Sequence, residues 1–164
     1  MITYYLTLSK YFPATHKRAG QPTGFRGKIF DGLDPERDDG KIHTIRANYE
    51  FWRKRFEKIA KGEACLSIRQ WLGKPYAKGS SQVELVRLTR EDGIGLQKLQ
   101  IVKERYKGAE IWLVYIDGEQ KGACHVIAEL TRNDGLSFED WKEWFKDYNL
   151  NNPMAIIHFT KFRY

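Results

Sequence analysis

The 164-residue chain is poor in cysteine, methionine and proline, with two, two and five of each. Cys65 and Cys124 stand far apart without CxxC spacing, which argues against a disulfide framework. Two buried thiols in a reducing cytoplasm is the simpler expectation, with a single disulfide left open. The four histidines, His16, His43, His125 and His158, are scattered, so no zinc, other metal or cofactor is expected. No run approaches the ~20 apolar residues of a membrane-spanning helix. The first eight residues alternate instead of placing an apolar run behind a basic start, so no signal peptide is expected and the predicted location is cytoplasmic. Linkers, repeats and low-complexity tracts are also missing, which leaves one domain over 1–164, long enough for a continuous core.

Aromatic rings and positive charge are plentiful. Five Trp, nine Tyr and nine Phe make up 14% of the chain. They can build a core or stack on a planar ligand, and the core is the commoner use. The net charge of +7 is lopsided: residues 1–78 hold 16 Lys and Arg against 8 Asp and Glu, the remainder 12 against 13. Such a surplus steers polyanions toward the protein, or simply solvates a helix face.

Alternation predicts strands over 2–8, 64–70, 82–89, 96–103 and 109–116, with a closing strand over 154–162. Asp117-Gly118 marks a hairpin. A short helix is expected near 24–31. Tyr49, Trp52, Phe56, Ile59 and Ala60 form a helical stripe over 48–61, capped by Asn48, with Glu50–Lys54 and Glu57–Lys61 as ion pairs. Further helices are expected at 123–130 and after Ser137, where Phe138, Trp141, Phe145 and Tyr148 make a second stripe. Five to six strands with two to three flanking helices predict an α+β domain built as a small mixed β-barrel.

The segment richest in chemistry is Lys41-Ile42-His43-Thr44-Ile45-Arg46, directly after the Arg37-Asp38-Asp39-Gly40 turn. In an extended strand Lys41 and Thr44 face opposite sides, so they converge only if the chain bends near Ile42 or His43, which Gly40 makes cheap. From the residues alone, solvent-facing Lys41 and Arg46 with a strand-filling Thr44 is the blander alternative. His43 is more often a satisfied strand histidine than a catalyst. Arg69 and Trp71, leading to Gly73-Lys74-Pro75-Tyr76, either stack a base and hold its phosphate or form a core ring beside an ion pair.

Gly40-Lys41-x-x-Thr44-x-Arg46 resembles the signature that opens the first barrel strand of ASCH domains, a branch of the PUA-like β-barrel superfamily. The stretches 66–76 and 133–137 resemble a phage and bacterial subgroup of that family, and the likeness follows most of the chain in order. The resemblance implies a PUA-like barrel with RNA or a modified nucleoside or nucleotide bound in a basic cleft. Lys41, Thr44, Arg46, His43, Arg69, Trp71 and Tyr76 are then the candidate ligand contacts. Some small bacterial members hydrolyse the amide of N4-acetylcytidine with a lysine, a threonine and a later glutamate. Carried over, these roles fall on Lys41 as base, Thr44 as nucleophile and Asp134 as orienting acid, with Asp one methylene shorter than the family's Glu.

Overall fold

In the computed structural model, which describes the whole chain apart from the side chains of Ala123 and Cys124, β1 (Ile2–Leu8) turns Leu6 and Leu8 inward and Tyr5 outward. It pairs in parallel with β3 (Ala64–Trp71), which pairs antiparallel with β4 (Gln82–Leu88). A parallel pair needs a long crossover. Here it comprises α1 (Phe25–Leu33), β2 (His43–Arg46) and α2 (Tyr49–Ala60). The second sheet runs β2-β8-β5-β6-β7, where β5 is Gly95–Tyr106, β6 Ala109–Ile116, β7 Glu119–Lys121 and β8 Met154–His158.

Two tight hairpins set this sheet's register. Lys107-Gly108 joins β5 to β6 and Asp117-Gly118 joins β6 to β7, all four residues at positive φ, as two-residue primed turns require. Helix α2 buries Trp52, Phe56 and Ile59 and packs against β3 on one sheet and β5 and β8 on the other, so its apolar stripe closes the core between the sheets. Two further helices follow, α3 (Ala123–Asn133) and α4 (Phe138–Trp144), the second capped by Ser137 Oγ accepting from Asp140 N at 3.1 Å.

The α+β class stands, while the details differ from expectation. Among the described residues there are four α-helices and eight strands, the strands in two sheets of three and five with no closed barrel. Strands β2 and β7 are four and three residues long, too short for alternation to reveal. The stripe after Ser137 is only half buried: Trp141 and Phe145 are interior, while Phe138, at the first position of α4, and Tyr148, beyond its end at Trp144, are exposed. On α2, Arg53 takes both Glu50 and Glu57; its planar fork reaches i−3 and i+4 together, in place of the expected lysine pairs. The last strand stops at His158. Cys65 is buried, and the expectation for Cys124 lies outside the described residues. Among the described residues no helix is long and apolar enough to cross a membrane.

Candidate functional site

The Lys41 segment is wedged between helices. Lys41 N donates to Lys28 O of α1 (2.7 Å), and Ile42 N to Asn133 O of α3 (3.0 Å). Glycine permits the approach to α1. A Cβ on Gly40 would lie 1.9 Å from Gly32 N, and one on Gly32 would lie 2.2 Å from Lys41 O. Gly40 is absent from the positive-φ glycines, so what it supplies is a close backbone crossing, where a flexible turn was expected. Since β2 begins only at His43, Lys41 is free of strand alternation, and it lines the same cavity as Thr44.

Asp134 comes to Lys41 through the end of α3. Gly135 N donates to Arg132 O and Leu136 N to Thr131 O, with Gly135 at φ 81. This Schellman pattern places Asp134 as the cap residue. Lys41 Nζ donates to Asp134 Oδ1 at 2.6 Å and to the Asp134 carbonyl oxygen, and stands 4.4 Å from the centre of the Phe25 ring. Trp141 Nε1 donates to the other carboxylate oxygen at 3.1 Å. Both partners are buried. Burial pulls the Lys41 ammonium down to about 8, only partly opposed by Asp134. It also lifts the Asp134 carboxyl above the usual carboxylate range, against the pull of Lys41. Desolvation therefore outweighs attraction on both sides of the pair.

Arg46 borders this cavity too, and its guanidinium donates to Thr7 O of β1 at 2.7 Å. The space left among Lys41, Thr44, Arg46, Asp134 and their apolar neighbours is only about 10 Å³, roughly what one water requires. His43 lies on the opposite face of β2, its Nε2 2.7 Å from the Tyr164 hydroxyl, which also accepts from Asn133 Nδ2 at 3.0 Å. Burial, then His158 and Lys41, hold the His43 imidazole far below its ordinary pKa. His43 is a neutral packing group, away from the other candidates.

Open space lies elsewhere. A groove of about 850 Å³ runs between the loop after β1 and the turn after β3, lined by Lys10, Tyr11, Phe12, Trp71, Lys74 and Tyr76 among others. The rings of Trp71 and Tyr76 sit 5.1 Å apart. Tyr76 is 90% exposed and holds φ 60, a conformation that costs a bulky residue energy. Arg69 is half-buried outside the groove, stacked 4.2 Å over the Tyr5 ring and donating to Ser67 Oγ. The sequence-predicted residues therefore divide into the cluster Lys41, Thr44, Arg46 and Asp134, the groove pair Trp71 and Tyr76, and the outlying His43 and Arg69. Lys10, Tyr11 and Phe12 went unpredicted because they lie in an aperiodic loop; the one signal was a cation beside two consecutive rings. The chain matches no family model, no curated protein and no solved structure.

Proposed function

We propose that this chain is a cytoplasmic binding module of the ASCH type, with a PUA-like arrangement of its strands, and that it takes RNA or a modified nucleotide in the Trp71–Tyr76 groove. The observation that carries this is the groove itself: paired rings at one wall, with Lys10 and Lys74 the charged residues of its lining and no carboxylate among them. Bases stack on such rings whatever their sequence, and lysines neutralise the phosphates between them. The Lys41 cluster meets this site at Thr7. Its cation is already matched by Asp134, while Arg46 ties the cluster to the Thr7 carbonyl at the groove's edge.

Tryptophan fluorescence with a short single-stranded RNA tests the proposal. Two lysine–phosphate contacts predict an affinity about sevenfold weaker at 200 mM than at 50 mM salt, and Trp71→Ala is expected to remove binding. Affinity indifferent to both changes would overturn it.

One observation favours a second reading, an amidohydrolase acting on N4-acylated cytidine or a related pyrimidine nucleoside. Lys41, Thr44 and Asp134 converge, and a lysine near pKa 8 suits a general base. Thr44 Oγ1 would attack the acyl carbon while a neutral Lys41, oriented by Asp134, takes its proton. The C–N bond then breaks as Lys41 returns that proton to the leaving N4 amine, and water hydrolyses the Thr44 ester to release the acid. The small cavity volume weighs against this, since no acyl nucleoside fits beside Thr44 as the chain is folded here. N4-acetylcytidine is therefore expected to keep its ultraviolet spectrum in the presence of micromolar protein. Loss of the acyl chromophore with the native chain but not with Lys41→Ala would replace binding by hydrolysis.

A further inference from the structure

The groove is continuous with the outer face of the three-stranded sheet. Thr7 and Trp71 line it, and both belong to that face: Thr7 pairs with Arg69, and Trp71 is two residues beyond Arg69 on the same strand. Further along β1 the same alternation brings Tyr5, which pairs with Ser67 and is 53% exposed. The Arg69 guanidinium lies over this ring at 4.2 Å. From Ser67 to Trp71 the strand advances about 13 Å, so a ring–cation stack stands one short step beyond the groove's ring pair.

The face is polar and net positive. Glu84 is its one carboxylate among the described residues of these strands, and it is occupied by Arg87 (2.9 Å) and the Ser67 hydroxyl. Arg69 pairs with Glu84 across the strands, yet its guanidinium is directed to Tyr5 and Ser67. A guanidinium held over a tyrosine ring brings a cation and an aromatic surface together, a pairing suited to a base and its phosphate.

Resting on the binding reading above, we infer that the nucleic-acid site extends from the Trp71–Tyr76 groove across the sheet face to Arg69 and Tyr5, so that the ligand is a single strand several nucleotides long rather than one nucleotide. The occupant is defined by unpaired bases on a phosphate backbone, a chemistry that RNA and single-stranded DNA share.

Titrating the protein with oligouridylates from dinucleotide to octanucleotide, and with deoxythymidylates of the same lengths, tests this. The octanucleotide is expected to bind at least about tenfold tighter than the dinucleotide, the gain of one further stacking step. Tyr5→Ala and Arg69→Ala should each remove that gain while leaving dinucleotide affinity intact, which also certifies that the variants fold; Tyr5→Phe should keep it. Equal gains for both ladders support a track read through the shared chemistry, and a gain for uridylates alone assigns it to RNA through the 2′-hydroxyl. An octanucleotide that binds no tighter than the dinucleotide, or a gain that survives Tyr5→Ala, overturns the extended track and leaves the groove. If no oligomer binds, the binding reading falls and the track with it.

Discussion

Lys41→Met is expected to destabilise the fold by about 3–5 kcal/mol, because it leaves the Asp134 carboxylate buried with the Trp141 indole as its remaining side-chain donor. Adding Asp134→Asn removes the charge and keeps an acceptor for that indole. The double variant should recover about 2 kcal/mol or more of the loss, since a buried pair is worth little against neutral groups of similar size. Urea unfolding of the native chain, both single variants and the double completes the cycle. A loss under about 1 kcal/mol for Lys41→Met would mean that the pair is solvated and contributes no more than a surface bridge.

The same pair gives the stability a pH signature. Folded Lys41 releases its proton near 8, whereas an unfolded lysine holds it to about 10.4. Between these values the unfolded chain binds more protons, so stability rises with pH across that window. The cost of burying the ammonium is fully present below about 8 and gone above the unfolded value. Asp134 acts in the acid range: its carboxyl is raised by burial, so its contribution is fully present below the unfolded carboxylate pKa and is lost as pH rises through the folded one. In Lys41→Met the alkaline rise should vanish. An unchanged slope there would assign it to another group.

Gly40→Ala is expected to be as damaging, by a different route. The new Cβ would stand 1.9 Å from Gly32 N and 2.2 Å from Gly32 Cα. Both are backbone atoms that no rotamer change can move aside. Helix α1 and the Lys41 segment would have to part, breaking the bond from Lys41 N to Lys28 O and drawing Lys41 from Asp134. A loss above about 3 kcal/mol, or failure to fold, follows. Gly32→Ala, on the other side of the crossing, should behave alike. Gly27→Ala in the same helix meets nothing within 4 Å and should instead stabilise by roughly 0.5–1 kcal/mol through helix propensity. Equal denaturation midpoints for Gly40→Ala and Gly27→Ala would refute the crossing.

The legible parts of this protein are those whose cause is local. The α2 stripe of Trp52, Phe56 and Ile59 repeats at helical spacing over enough turns to be unmistakable, and Asn48 caps it through Phe51 N. The Asp117-Gly118 hairpin follows from dipeptide chemistry, and Asn133-Asp134-Gly135 reads as a turn because glycine accepts positive φ. The site was legible only as a set of residues. Lys41, Thr44, Arg46 and Asp134 do assemble, but a string of polar letters carries no measure of burial, and the segment that looked like an open cleft is packed solid. His43, embedded in the same motif, turns to Tyr164 because strand alternation sends it to the other face.

The sequence by itself determined the α+β class, the strands and helices long enough to show a period, the turns built on glycine, and the excess of positive charge in the first half. Each depends on neighbours within a few residues, where propensity and side-chain geometry act directly. Tertiary structure alone decided that Gly32 and Gly40 cross backbone to backbone, that Lys41 is sealed against Asp134 across 93 positions, and that two aperiodic segments enclose the groove of Trp71 and Tyr76. Those outcomes depend on which distant surfaces meet and exclude water, and desolvation acts on the assembled fold, not on the order of residues along the chain.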